Sequence, residues 1–303
     1  MKPALSVIFF TVFSGAGLGL LIWTLIASTM PQHIRMDAAT FYKAIGIALA
    51  LTTAGLLSST LHLANRKNAV YALTRWKTSW LSREGVFALL LYPLVAAHLF
   101  VIHSSYAALA PFTLLKVIAC ALAILFCTGM IYGCLKTVPR WNTWMTPAKY
   151  VVFGLMSGAV LFTSALSLRP VEVGPIRTPM MALVFLALGL VLYLAYLLKH
   201  PRSHTIERAL GVKQGRVRML DVGHSHGTFL THEFGFQLAR DKAQILRWLS
   251  ILWGFVIPFI LLGWSQWYWV ATVFCLAGLL VERWLFFAEA QHVVRLYHGQ
   301  RVV

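Results

Sequence analysis

The sequence predicts an all-α, polytopic membrane protein: a bundle of eight transmembrane helices forming a single membrane domain over residues 1–303. Three observations predict it. Of 303 residues, 59% are hydrophobic and only 12% are charged, a balance that soluble domains do not carry. The apolar residues fall in long uncharged runs, with 22 residues between Lys43 and Arg66, 19 between Lys116 and Lys136, 19 between Lys149 and Arg169, and 21 between Arg177 and Lys199. A helix needs about 20 such residues to cross roughly 30 Å of hydrocarbon, and it satisfies its own backbone there. Lastly, the basic residues between the runs fall nearly all on one side.

The first span, 6–30, lies in a stretch from Pro3 to Ile34 without formal charge; that is long enough to be expected as a retained span rather than a cleaved signal. The second, 43–64, ends around His62. In the connection from Arg66 to Glu84, Leu73, Trp76 and Trp80 are spaced i, i+3, i+7. That spacing predicts an amphipathic helix in the interface, with Arg75, Lys77 and Arg83 toward water or phosphates. The third span, 85–107, carries His98 midway and His103 near its far end. In the fourth, 112–134, Cys120, Cys127 and Cys134 recur every seventh residue, one stripe of one helix and a natural helix–helix seam. The chain's four cysteines form no CxxC pair, so it bears no zinc or iron–sulfur signature of its own. The fifth and sixth spans are 149–168 and 178–198. A long connection, 199–244, holds the basic segment Lys213 to Arg218 and then Asp221-Val222-Gly223-His224-Ser225-His226-Gly227. Its histidines, with His232, read as a solvated or partner-facing loop rather than a metal site. The last two spans, 245–264 and 267–288, form a tight hairpin whose Trp264, Trp267 and Trp269 suit the headgroup layer.

Twenty-one lysines and arginines lie on the side of the termini and the even-to-odd connections, against five on the other. The positive-inside rule makes the richer side cytoplasmic, with both termini inside. The net charge of +17 therefore belongs to membrane-flanking loops and not to nucleic-acid binding. The cytoplasmic face is also the elaborate one. Arg66, Lys67, Arg75, Lys77, Arg140, Arg216, Arg218, His224 and His226 are candidates for docking a partner. The alternative is attraction to anionic lipid, about 1 kcal/mol per basic residue.

Ionisable groups at membrane depth are functional candidates by default. His62 closes the second span and Glu84 opens the third, so both lie at the cytoplasmic depth. A quinone head group needs hydrogen-bond donors for its carbonyl oxygens and a route for two protons. Histidine supplies both near neutral pH, and a carboxylate beside it orients the ring or relays protons. Arg83 and Trp80, beside Glu84, complete the candidate quinone site. The alternative is structural, with His62 capping a carbonyl and Glu84 pairing with Arg83 or Lys67. Haem is not expected. His62 and His98 lie at different depths, and His98 and His103 are five residues apart on one helix and point apart. Glu282 and Glu289, in or at the end of the last span with Arg283 beside the first, complete the set.

Several segments together resemble the membrane-anchor subunit of dimethyl sulfoxide reductase and its relatives among the complex iron–sulfur molybdoenzymes. They are Ser59-Thr60-Leu61-His62-Leu63, Leu81-Ser82-Arg83-Glu84, Thr137-Val138-Pro139-Arg140-Trp141, Trp144-Met145-Thr146-Pro147 and Glu282-Arg283-Trp284-Leu285-Phe286-Phe287. The 22-residue separation of His62 and Glu84 fits the same pattern. The resemblance covers most of the chain and all eight spans. It implies a haem-free anchor that exchanges electrons with ubiquinone or menaquinone. Its partners would be a four-cluster iron–sulfur subunit and a molybdopterin catalytic subunit, and His62 and Glu84 would serve quinol binding. In the reductase the catalytic subunits are exported, whereas here the corresponding face reads as cytoplasmic, and the 199–244 connection is longer than the reductase pattern. Both departures point to the sulfite-oxidising branch, which passes electrons to quinone, over quinol-driven sulfoxide reduction. A transporter would require broken helices, a repeat and midplane charges, and a b-type cytochrome would require depth-matched histidines. The chain offers little of either.

Overall fold

The computed structural model describes residues 3–29, 36–60, 71, 73–166, 178–199, 205–212, 215, 217 and 242–298. Among them there is no β-strand, and eight helices are long and apolar enough to cross a membrane. These are α1 (Leu5–Ser28), α2 (Ala38–Thr60), α3 (Trp80–His103), α4 (Ala110–Gly133), α5 (Met145–Leu166), α6 (Thr178–Leu198), α7 (Ala243–Trp264) and α8 (Tyr268–Ala288). The eight-helix class read from the sequence is the one observed.

Three helices begin earlier than the apolar runs suggest, because caps and not charges set their starts. The Asp37 carboxylate accepts the Thr40 N–H (3.2 Å) ahead of α2. Ser79 Oγ accepts the Ser82 N–H (3.4 Å) ahead of α3. Thr143 Oγ1 accepts the Met145 N–H (3.0 Å) ahead of α5. Each satisfies a backbone donor that a helix start leaves orphaned. One consequence is that Lys149, which looks like a span boundary in the sequence, lies inside α5 and is fully buried.

The interfacial amphipathic helix expected through Leu73, Trp76 and Trp80 is not what forms. Leu73–Arg75 makes a single 3₁₀ turn, and Trp80 is already the first residue of α3. Arg83 explains the difference. Its Nε donates to Trp76 O (2.9 Å) and its Nη2 to Lys77 O (2.6 Å), which clips this segment back onto the first turn of α3.

α1 and α5 form the centre of the bundle. α1 packs on α2, α4, α5 and α8, whereas α5 packs on α1, α4, α6 and α8. α3 sits outside this layer, mainly against α4. The central crossing is made of glycines, Gly15 and Gly19 against Gly154 and Gly158. A Cβ on Gly158 would enter the backbone of Gly19, and one on Gly19 would enter the carbonyl of Gly154. Small residues four apart are how helices approach closely in lipid, where no hydrophobic force separates helix from solvent. Trp23 Nε1, donating to Leu155 O (2.9 Å), fixes the same pair in register.

α7 contains a π turn at Leu252–Val256. Pro258, just beyond it, has no N–H to offer Gly254 O, and the widened turn absorbs that loss. Gly254 in this turn lies against Gly278 of α8.

Candidate functional site

Glu84 occupies the second turn of α3 and is 3% exposed. It faces α4, where Thr128 Oγ1 donates to Glu84 Oε1 and also lies 2.9 Å from Ile124 O. No lysine or arginine pairs with it among the described residues. The alternative pairing with Arg83 is thereby overturned, since Arg83 is committed to the Trp76 and Lys77 carbonyls and to the Trp80 ring, 4.2 Å from its guanidinium. Trp80 in turn meets Phe126 of α4 edge-on (5.8 Å). Arg83 and Trp80 thus hold the entrance to α3 in place, and Glu84 is left with the Thr128 hydroxyl. His62, Arg66, Lys67, Arg216, Arg218, His224 and His226 lie outside the described residues.

Among the expected docking residues, Arg75 and Lys77 are exposed. Arg140 is also tied into the bundle. Its Nη2 pairs with Glu289 Oε2 (2.6 Å), while Arg247 Nη2 pairs with Glu289 Oε1 (2.6 Å). Glu289 therefore ties the α4–α5 connection to α7 and the end of α8. Cys120 and Cys127 line the buried seam as expected, but Cys134 caps α4 and is exposed.

Sequence reasoning missed the most polar feature of this end of the bundle. Lys149 Nζ donates to Glu282 Oε1 at 2.6 Å, and Arg283 Nη1 lies 3.3 Å from Glu282 Oε2. All three residues are buried. The cations rest on aromatic faces, Lys149 Nζ 3.7 Å from the Tyr196 ring and the Arg283 guanidinium 3.8 Å from the Tyr150 ring, a contact that strengthens when desolvated. Tyr132 connects this cluster to Glu84. It lies one turn beyond Thr128 on α4 and stacks on Tyr150 (5.7 Å). The available signals were Lys149 six residues after Thr143, a capping residue, and a carboxylate–arginine pair in an otherwise apolar helix. Without partners visible in the sequence, both looked like span ends.

The two buried carboxylates are chemically unlike. Glu282 is clamped by two cations, Lys149 and Arg283. Glu84 meets one hydroxyl and no cation among the described residues. A cleft of about 730 Å³ opens between α4 and α5, lined by Phe126, Met130, Trp144, Pro147 and Val151 among others. Glu84 does not line this cleft, but Phe126 joins it to Trp80.

A family model described as DMSO reductase anchor subunit (DmsC) matches residues 1–289. The chain is 32% identical over 325 residues to a protein from Allochromatium vinosum named as a sulfite dehydrogenase subunit, with 98% of this chain and 99% of that relative covered. No solved structure matches. A family match across nearly the whole chain, joined to eight membrane-length helices, makes this a multi-pass membrane protein that belongs to the DMSO reductase anchor-subunit family.

Proposed function

We propose that this chain is the quinone-reactive anchor of a molybdopterin and iron–sulfur oxidoreductase in a bacterial inner membrane. It passes electrons between an iron–sulfur subunit on the cytoplasmic face and the quinone pool, most simply from sulfite oxidation to quinone reduction. The observation that carries the proposal is Glu84: a carboxyl buried at membrane depth, held by one hydroxyl and by no cation among the described residues. Such a group can hand a proton to a quinone oxygen or take one from a quinol. His62 supplies the second hydrogen bond to the head group. The charge asymmetry of the loops supports a cytoplasmic partner and termini inside. The relative named for sulfite dehydrogenase supports sulfite as the partner's substrate over a sulfoxide.

Two experiments test this. Affinity purification in mild detergent is expected to recover a cysteine-rich subunit and a molybdenum-containing subunit, neither with an export signal. Recovery of the chain alone, free of iron and molybdenum, contradicts the proposal. In the assembled complex, Glu84→Gln is expected to slow quinone turnover by about 10²–10⁴-fold, the scale of a lost general acid or base, and to flatten its pH profile. His62→Ala is expected to abolish turnover while the complex still assembles. An unchanged pH profile in Glu84→Gln removes Glu84 from the proton path, and lost assembly in His62→Ala makes that histidine structural.

A further inference from the structure

The cluster of Lys149, Glu282 and Arg283 leaves part of its hydrogen bonding unused. Glu282 Oε1 accepts from Lys149 Nζ (2.6 Å). Glu282 Oε2 faces Arg283 Nη1 at 3.3 Å, yet neither atom makes a hydrogen bond among the described residues. The Tyr150 hydroxyl makes none either. Tyr150, Glu282 and Arg283 are 3%, 1% and 2% exposed. Native interiors seldom leave such groups unpaired, and ordered water is the usual partner where protein supplies none.

The three atoms belong to one place. The Arg283 guanidinium stands 3.8 Å from the centre of the Tyr150 ring, so the hydroxyl on the rim lies beside it without bonding to it. A gap just beyond hydrogen-bond length is what a bridging water spans. A buried water typically makes about three hydrogen bonds. Here it would donate to Glu282 Oε2, accept from Arg283 Nη1 and share a hydrogen bond with Tyr150 Oη.

The unused atoms also lie on the side of Glu84. The bonded oxygen of Glu282 meets Lys149, and the unbonded one meets Arg283, which covers Tyr150. Tyr150 stacks on Tyr132 (5.7 Å). Tyr132 follows Thr128 by four residues on α4 and so shares its helix face. Thr128 Oγ1 donates to Glu84. In the other direction, Lys149 Nζ rests 3.7 Å from the Tyr196 ring, and Tyr196 Oη donates to Arg140 O (3.2 Å). Arg140 and Arg247, paired with Glu289, reach solvent. Polar side chains thus continue from solvent to Glu84 across α8, α5 and α4.

We propose that water joins Tyr150 Oη to Glu282 and Arg283, and that this hydrated cluster delivers protons to Glu84. The relay rests on the quinone chemistry proposed for Glu84 and adds the residues behind it. Reduction of a quinone takes two electrons, here from the iron–sulfur partner, and two protons. Once Glu84 has given its proton to a quinone oxygen, the Thr128, Tyr132 and Tyr150 hydroxyls each pass one proton forward and take one from behind, with water closing the gaps. The proton that restores the last of them enters from solvent through the cluster, so no group on the route ends with a changed charge. Tyr132 and Tyr150 act through Glu84 and not on the quinone.

The test is anaerobic turnover of the assembled complex in nanodiscs, in light and in heavy water. Reduced benzyl viologen gives electrons to the iron–sulfur subunit, and decylubiquinone accepts them. Tyr150→Phe keeps the ring under Arg283 and removes only the hydroxyl. It is expected to slow turnover by about 10-fold or more and to raise the solvent isotope effect, because proton delivery becomes limiting. It is also expected to lower the thermal midpoint, since a water-bonded hydroxyl is lost. Removal of an unpartnered hydroxyl would leave the midpoint unchanged or raise it. Tyr132→Phe gives the same kinetic result where Tyr150→Phe does not fold. Tyr193→Phe removes a buried hydroxyl that is bonded to Ser250 (3.0 Å) and lies off the route; it is expected to leave the isotope effect unchanged. Full turnover in Tyr150→Phe, slowing without a larger isotope effect, or a midpoint that does not fall overturns the relay. Glu84→Gln in the same assay separates the two readings. If it also keeps full turnover, the role of Glu84 itself is wrong; if it slows while Tyr150→Phe does not, only the relay is.

Discussion

Glu282→Leu is expected to destabilise the bundle by about 3–5 kcal/mol, the cost of leaving buried charge uncompensated, and Lys149→Met is expected to cost clearly less. Glu282 sits between two cations, Lys149 at 2.6 Å and Arg283 at 3.3 Å. Removing the carboxylate leaves two positive charges facing each other with only ring faces to hold them. Removing Lys149 leaves Glu282 with Arg283, a neutral pair, and the methionine stem replaces the lost packing against Tyr196 and Phe286. The double variant Lys149→Met/Glu282→Leu leaves one cation, Arg283, over Tyr150, and should fall between the two. Glu289→Gln should cost less than Glu282→Leu, because its partners Arg140 and Arg247 reach solvent and exposed pairs contribute little. Thermal unfolding midpoints of the detergent-solubilised variants read this order. A Lys149→Met loss as large as that of Glu282→Leu would show that the lysine, and not the carboxylate, organises the cluster.

Eight spans were legible in the sequence because hydropathy alone dictates them: a run of 20 apolar residues has few other fates. Their starts were less legible, since a charged residue looks like a boundary while the physical boundary is a cap. Asp37, Ser79 and Thr143 were all present as signals, and each moves a helix start by four or five residues. That shift takes Lys149 from the membrane surface into the core. Glu84 was legible as a candidate because a carboxylate at a span end is rare. Its partner Thr128 was not, because a threonine in an apolar helix bonds its own backbone as readily as a distant side chain. Arg83 illustrates the reverse case. Its position suggested solvent or phosphate, but two unpaired carbonyls in the preceding turn were nearer. The Gly15/Gly19 and Gly154/Gly158 spacings were in plain view, but a glycine pair in one helix acquires meaning only when the facing helix is known.

That glycine crossing carries the second large effect. Gly158→Leu is expected to abolish the folded, monodisperse protein, a loss of about 3 kcal/mol or more. The site differs from ordinary overpacking in its neighbours. A Cβ at 158 would meet the Gly19 and Leu20 backbone, and a backbone cannot rotate away as a side chain does. α1 and α5 would have to separate along the crossing, which would also strip Trp23 Nε1 from Leu155 O. Gly46→Ala is the matched control. It lies in α2, nothing stands within 4 Å of its would-be Cβ, and the better helix propensity of alanine favours it by up to about 1 kcal/mol. Gly154→Ala falls between these, and its consequence is functional. Its Cβ would press on Leu125 Cδ2 at 2.7 Å. Leu125 is three residues before Thr128 on α4, so its displacement moves the hydroxyl that holds Glu84. Gly154→Ala should therefore leave the protein folded while changing the pH dependence of quinone turnover in the same sense as Glu84→Gln. If it leaves that dependence untouched, the central crossing and the Glu84 site are mechanically independent.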